Sequence, residues 1–418
     1  MIDINRKEIK EKMFQGFFGL EKEALRITED GRFAQTPHPF PDHPHIVRDF
    51  CENQIEINTG ISPTAEEAIK ELEKYTKEVK ETLKNLPEQE YLWAFSNPPY
   101  IGKDSDIPIA RFYGEDAYKT EYREYLSERY GRYKMSLCGI HVNYSFGEEL
   151  LSAAFKVSDN QDFDEFKNSL YLSLAKKLAA FGWIVTILTA ASPIMDGSFI
   201  EKGVVEEDVF LGMASVRCSE LGYWNQFTPV FDYSSLNAYI GSIEKYVTDG
   251  LIAYPSELYY PVRLKPPGEN SLDALREKGV SHIELRMVDL NPFAEAGLDI
   301  RDLKFIQYLL IWLVSLNEED FSAKAQVQAV QNYKNAARYD LKTVRIKESK
   351  GEYLSIADAG LLIINYMKDF YKGFGDEVDD VLAFQEEKLI NPEKRYAWRI
   401  RREYGTNYAI KGLELSKV

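Results

Sequence analysis

Glu21 and Glu23 stand two residues apart in the segment "GLEKEALRI" at 19–27, among Leu20, Ala24, Leu25 and Ile27. In a strand, that spacing sends both carboxylates to one face, because side chains alternate with a period of two. Two neighbouring negative charges repel, and one takes up a proton unless something positive lies between them. Three further segments repeat the alternation. "DFCENQIEINT" at 49–59 sets Glu52, Gln54, Glu56 and Asn58 against Cys51, Asn53, Ile55 and Ile57. "GIHVNYSF" at 139–146 sets His141, Asn143 and Ser145 against Ile140, Val142, Tyr144 and Phe146. "SHIELRMVDLNPF" at 281–293 alternates His282, Glu284 and Arg286 with Ile283, Leu285 and Met287 before "DLNPF" breaks the strand. Asp49 precedes Glu56 by an odd number of residues, so the two face one site only across a bulge or from just outside the strand.

One antiparallel sheet of these strands, with helices behind its apolar face, would present Glu21, Glu23, Glu56, His141, Asn143, Glu284 and Arg286 as a concave polar floor. Many carboxylates with one imidazole and few thiols suit hard divalent cations such as Mg²⁺ or Mn²⁺. A bound cation would let neighbouring glutamates stay ionised together. Any one such strand alone reads as an ordinary solvated face. Repetition across four strands, with charges of matching sign, argues for a site. His38, His43 and His45 in "TPHPFPDHPHI" have the residue type of a metal cluster, but the prolines make that stretch a rigid loop. Cys218 follows Arg217 with no base beside it and reads as a small packed residue.

Helices must carry this sheet. "SPTAEEAIKELEKYTKEVKETL" opens with a Ser cap and a Pro, then places Ala65, Ile69, Leu72, Tyr75 and Val79 at helical spacing, which predicts a helix over 62–85. Further helices are expected near 117–130, 163–191, 234–249, 302–317, 321–337, 356–373 and 402–414, so the chain is mostly helix. The acidic "SDNQDFDE" at 158–165 reads as an exposed loop. No repeat, low-complexity block or Pro/Gly/Ser linker divides the chain.

The 418 residues carry 51 basic and 67 acidic side chains, a formal charge of −16, which disfavours nucleic acid as a partner. Cys51, Cys138 and Cys218 are far apart and odd in number, which argues for a reducing compartment and against a zinc cage or disulfide framework. The N-terminus "MIDINRKEIKEKM" lacks the apolar stretch of a signal peptide. The longest apolar run, "LAAFGWIVTILTAA" at 178–191, falls short of the roughly 20 residues a membrane span needs. A buried helix in a cytoplasmic protein is the expectation.

The phrases "GLEKEALRI", "TPHP", "DFCENQIE", "YREYLSERYG", "GIHVNYSF", "SVRCSELGY" and "HIELRMVDLNPF" resemble, in that order, the motif series of bacterial glutamate–cysteine ligase, and the similarity runs on to "YGTNYAIKGLEL". That family occurs as free-standing enzymes and as the N-terminal part of bifunctional glutathione synthetases. The resemblance implies an α+β, glutamine-synthetase-like fold whose curved antiparallel sheet floors a funnel, with many helices around it. It implies one composite catalytic domain over 1–418, without an ATP-grasp domain. Two or three Mg²⁺ ions, with Mn²⁺ as an alternative, would be held by Glu21, Glu23, Asp49, Glu56, His141 and Glu284. Arg217 and Arg286 would hold the phosphoryl group and glutamate, with Asn143 nearby. Tyr122, Arg123 and Tyr223 would surround the amine acceptor.

The implied reaction uses ATP to phosphorylate the γ-carboxylate of glutamate, and the amine of cysteine then attacks the acyl phosphate. Glu52 is one conceivable base if it faces the funnel. No GxxxxGK[ST] segment is present, and this chemistry does not need one. Met135 and Cys138 replace the Gln and Ser expected on the acceptor side, which leaves another amine as an alternative to cysteine. Small-molecule substrates, no membrane, and a monomer or small homo-oligomer complete the expectation.

Overall fold

The computed structural model describes residues 6–200, 208–317, 320–347 and 351–418. Seven strands form one antiparallel sheet: β1 (Gly16–Thr28), β2 (Ile46–Arg48), β3 (Gln54–Asn58), β4 (Glu90–Leu92), β5 (Ile140–Phe146), β6 (Val262–Lys265) and β7 (His282–Val288). Their order is β2-β3-β1-β5-β7-β6, with β4 paired to the far end of β1. The four strands expected from the alternation are therefore neighbours or near neighbours. The expected 49–59 strand is shorter, because residues 51–53 turn the chain between β2 and β3.

Leu20, Ala24, Ile55, Ile57, Ile140, Val142, Ile283 and Leu285 form the buried side of the sheet. Burying an aliphatic side chain of this size contributes roughly 1.5–3 kcal/mol. Helices α1 (Ala65–Lys84), α2 (Ala117–Tyr130), α3 (Phe163–Phe181) and α4 (Trp183–Thr189) follow in chain order. Of these, α1, α3 and α4 pack on the sheet, and helix Ile300–Ser315 packs on α1 and α3. The cap of α1 is Thr64, whose Oγ1 accepts the Glu67 N–H at 3.2 Å. Ser62, expected as that cap, instead exchanges backbone hydrogen bonds with Phe18.

The helix expected over 163–191 bends by 57° at Gly182. A Cβ there would lie 2.2 Å from the Tyr333 hydroxyl, which itself donates to the Leu178 carbonyl at 2.6 Å. No single helix among the described residues is long and apolar enough to cross a membrane. The loop expected over 158–165 ends at Asp162, which caps α3 by accepting from the Glu165 N–H. The expected 402–414 helix is two pieces, Tyr396–Tyr404 and Tyr408–Ser416. Helices Glu148–Lys156, Leu272–Lys278 and Asp376–Ile390 were not expected from the sequence.

Two buried cations mark β1. Arg26 is fully buried and donates to Glu90 at 2.6 Å, to Thr36 and to the Glu52 carbonyl, which ties β1 to β4 and to the 49–53 turn. Lys22 points into the apolar side, where its Nζ donates to Thr76 Oγ1 at 3.2 Å. Burial, followed by repulsion from Lys80, pulls its pKa from 10.5 down to about 7. The unfolded chain then binds more protons than the folded one between those values, so this group's contribution makes stability rise with pH across that window. Compared with wild type, Lys22→Met is expected to remove roughly 2 kcal/mol of that rise between about pH 7 and pH 9. Urea unfolding at several pH values checks it, and parallel pH curves for the two proteins would refute it.

Candidate active site

Register sets the polar floor. Glu21 pairs across to His141 on one side and Asn58 on the other, and Glu23 pairs with Glu56. Asn143 faces Glu284, and Arg263 faces Glu284 from the other side. Opposed side chains in such pairs approach to about 5 Å at Cβ, so the polar groups converge without any long loop. Between the pairs Ile140–Val288 and Val142–Leu285 the register slips, and Arg286 and Met287 together oppose His141. This bulge lets both side chains line the cavity, although plain alternation sends Met287 to the apolar side.

The cavity above this floor has a volume of about 360 Å³. Glu21, Glu23, Asp49, Glu56, His141, Glu284, Arg217, Arg286, Tyr122, Arg123 and Tyr223 all line it. Asn143 is not among the lining residues but donates to Glu21 Oε1 at 2.9 Å. Asp49 follows the end of β2, just outside the strand, which removes the parity conflict with Glu56. Glu52 does not join them. Its carboxylate accepts from the backbone N–H groups of His38 and Arg111 and from Arg48, so it is not placed to act as a base in the cavity.

Sequence reading missed Arg263 and Lys265 of β6, which also line the cavity. The signal was present in "YYPVRLKPPG", where Val262 and Leu264 alternate with Arg263 and Lys265. Four residues are too short a run to stand out. Conversely, His282 lies off the cavity with its ring against Ser281. His38 and His45 are bound to the carbonyls of Val47 and Asn58, and His43 lies 3.4 Å from Glu78. Cys218 is buried, its Sγ 3.3 Å from the Met287 carbonyl, and burial pushes its thiol up to about 12. Met135 lines the cavity, whereas Cys138 is buried away from it beside Gln54.

Charge is segregated along the sheet. Glu21, Glu23, Asp49 and Glu56 cluster at β1 and β3, while Arg263, Lys265 and Arg286 line β6 and β7 around Glu284. Burial raises the Glu284 carboxyl, but Arg286, Lys265 and Arg263 together hold it well below the usual range. Glu21 is also raised by burial, yet the His141 hydrogen bond at 3.0 Å brings it net below its ordinary value. On the acidic side the balance reverses. Burial pushes Glu56 well above the usual carboxylate value, and Asp49, Glu21 and Glu23 add to it. Glu23 is raised by burial too, and His141 offsets only part of that.

Arg217 reaches the floor from another segment. Its Nη1 donates to the Arg286 carbonyl at 2.7 Å, and its Nη2 lies 3.3 Å from His141 Nε2. Each ring nitrogen of His141 thus meets both a carboxylate and an arginine: Nδ1 lies 3.0 Å from Glu21 and 3.4 Å from Arg286 Nη1, and Nε2 lies 3.3 Å from Arg217 Nη2 and 3.6 Å from Glu23. The guanidinium fits because residue 139 is glycine: a Cβ there would lie 2.3 Å from Arg217 Cζ.

The donor set fits a hard cation. Glu21, His141 and Glu284 each offer a ligand atom, all within 4.8 Å of one another. Glu284 Oε2 is buried with no hydrogen-bond partner, and the acidic side holds more carboxylates than its cations neutralise. Such a site calls for positive charge of the size and hardness of Mg²⁺ or Mn²⁺.

A curved antiparallel sheet flooring an acidic and basic funnel defines the glutamine-synthetase-like class of α+β proteins. The chain belongs to the glutamate–cysteine ligase family, whose model matches residues 1–256 and 245–336. It is 35% identical over 417 residues to the glutathione biosynthesis bifunctional protein GshAB of Listeria welshimeri, covering 96% of this chain and 53% of that one. The corresponding Streptococcus mutans protein is 33% identical over 397 residues, covering 93% and 50%. The chain thus spans about half the length of the curated relatives it matches. A bifunctional glutathione synthetase from Pasteurella multocida superposes with a TM-score of 0.85 at 26% identity, over 99% of this chain and 53% of that one. A glutamate–cysteine ligase from Francisella tularensis, solved with AMP, gives 0.84 at 23% identity over 96% and 88%, and shares the fold.

If the floor binds a divalent cation, Glu21→Gln is expected to weaken Mn²⁺ binding by about tenfold or more, whereas Glu52→Gln leaves it unchanged. Calorimetric titration of both variants checks this, and equal affinities would refute the assignment.

Proposed function

We propose that this chain joins the γ-carboxylate of glutamate to the amino group of cysteine, with ATP as co-substrate, through a γ-glutamyl phosphate. The observation that carries the reading is the segregated floor, with carboxylates gathered on one side and arginines on the other, in a member of this family. In this reading residues 1–418 form one composite catalytic domain of a cytoplasmic protein. Glu21, Glu23, Asp49, Glu56, His141 and Glu284 hold two or three divalent ions, Mg²⁺ or alternatively Mn²⁺. When bound, such ions neutralise phosphate charge and orient the nucleotide for in-line transfer.

A carboxylate does not react with an amine at neutral pH, so the protein must first bring the glutamate γ-carboxylate to the terminal phosphate of ATP. Holding the two in register turns an encounter between separate molecules into a local one. Arg217 and Arg286 present fixed positive charge where the transferring group becomes more negative. Their positions are set in advance, by the Arg286 carbonyl for one and by Glu284 at 2.9 Å for the other. Neither needs to reorganise during the reaction. The floor is also recessed from bulk water, which strengthens each of these interactions.

Tyr122, Arg123 and Tyr223 form the acceptor side. Tyr223 is fixed by its hydroxyl, which lies 3.0 and 2.9 Å from the Met135 and Leu137 carbonyls. Arg123 donates to the Asp49 carbonyl at 2.6 Å. Cysteine as the acceptor is supported by the names of the relatives, which are glutathione biosynthesis proteins and a glutamate–cysteine ligase.

Purified protein with ATP, Mg²⁺ and glutamate is expected to release ADP fastest with cysteine among a panel of amines, and mass spectrometry should find γ-glutamylcysteine. A faster turnover with another amine would reassign the acceptor, and no glutamate-dependent turnover with any amine would defeat the ligase reading. Gly139→Ala, which evicts the Arg217 guanidinium from its seat, is expected to lower kcat by about 10²-fold with the fold retained by circular dichroism. A near-normal rate would show that Arg217 does not serve transfer.

A further inference from the structure

Resting on this ligase reading, we propose that Glu257 is the positioning residue of the acceptor wall and thereby sets the affinity for the incoming amine. Glu257 lies outside the cavity and its side chain is fully buried. Its Oε1 accepts from the Tyr130 hydroxyl at 2.7 Å and from Arg129 Nε at 2.8 Å. Its Oε2 accepts from the Tyr125 hydroxyl at 3.0 Å and from the Ala253 N–H at 2.7 Å. Both oxygens are thus saturated by donors from α2 and from its own turn.

The network closes through a third segment. Asn225 donates to the Glu257 carbonyl at 2.9 Å and to the Tyr130 hydroxyl at 3.2 Å, and its Oδ1 accepts the Tyr259 N–H at 2.8 Å. The elements tied together are those that build the acceptor wall. From α2 come Tyr122, Arg123 and Leu126, and from the turn come Ser256 and Tyr259, on either side of Glu257 in the chain. Ser256 Oγ lies 3.1 Å from the Tyr122 hydroxyl, so the two halves meet at the cavity mouth. Of the floor strands, β6 braces the turn as well: Arg263 donates to the Ser256 carbonyl at 3.0 Å and to the Leu258 carbonyl at 2.5 Å. The distance between α2 and the turn, and hence the width of the acceptor side, depends on this carboxylate.

An amide cannot replace it. With the nitrogen of Gln at the Oε2 position it would face the Ala253 N–H, and at the Oε1 position it would face Arg129 Nε–H, so either flip sets the amide NH₂ against an N–H that can only donate. Glu257→Gln is therefore expected to raise the KM for cysteine at least tenfold while the KM values for glutamate and ATP stay within twofold. Tyr125→Phe combined with Tyr130→Phe removes two donors, keeps the rings, and is expected to give the same selective rise; it decides the matter if Glu257→Gln does not fold. Three KM values that move together, or a loss of kcat that only follows the folded fraction, would overturn the assignment. Wild-type protein without turnover on any amine would overturn the ligase reading and this inference with it, whereas active wild type with unselective variants would overturn this inference alone.

Discussion

The structure depends on an electrostatic imbalance held on one face of a sheet. Glu21, Glu23 and Glu56 come together because antiparallel register leaves them no other place, and the apolar residues between them are fixed in the core. A one-residue slip of β1 would move Leu20 and Ala24 to the cavity and both glutamates into the apolar layer. The burial that keeps the register is therefore the same force that compresses the charges. Glu56 and Glu23 carry the cost, visible as carboxyls raised above their ordinary values. At β6 and β7 the opposite excess prevails, and Glu284 stays ionised among three cations. The site is polarised before any ligand arrives.

Much of this floor was legible from residue types and period. The alternation in four segments identified the face, and register then determined which residues meet. What escaped was short or irregular. Arg263 and Lys265 sit on a strand of four residues, too brief for a periodic signal. Met287 reaches the cavity through a bulge, which no alternation rule anticipates. Glu52 shares the parity of Glu56 but lies in the turn that separates two strands, so parity ceased to apply. The break at Gly182 is likewise non-local, since the hydroxyl that demands a glycine belongs to Tyr333, far along the chain. The family resemblance puts Cys138 on the acceptor side, yet it turns into the core beside Gln54.

Family membership and geometry speak to different parts of the reading. Matching motifs identify which positions to inspect, but they say nothing about how a position is supported. Arg217 illustrates the difference. Its placement rests on a glycine at 139, on a carbonyl of β7 and on the imidazole of His141, none of which is adjacent to it in sequence. The histidine is also the pivot of the floor, because it approaches Glu21 with one ring nitrogen and Arg217 with the other. It thus joins the acidic and basic halves through a single ring.

The two sides of the cavity are built on different principles, and this bears on how specificity can change. The floor is made of strands whose polar groups are locked by register, so altering it disturbs the core. The acceptor wall is made of a helix and a turn that touch through hydroxyls, one asparagine and one buried carboxylate. Hydrogen bonds to a buried charge are strong and directional, and they join helix to turn, while Arg263 of β6 holds the turn to the sheet. In the proposed ligase reading, a change in the hydroxyls or the carboxylate of the wall alters amine recognition while leaving the charged floor in place. Met135 lies at this boundary: its backbone carbonyl accepts from Tyr223, and its sulfur lies 3.8 Å from the Tyr259 hydroxyl. A thioether there keeps the wall apolar where an amide would add two donors and an acceptor, so in the proposed ligase reading the polar contacts open to an amine come from the tyrosines and Arg123 around it.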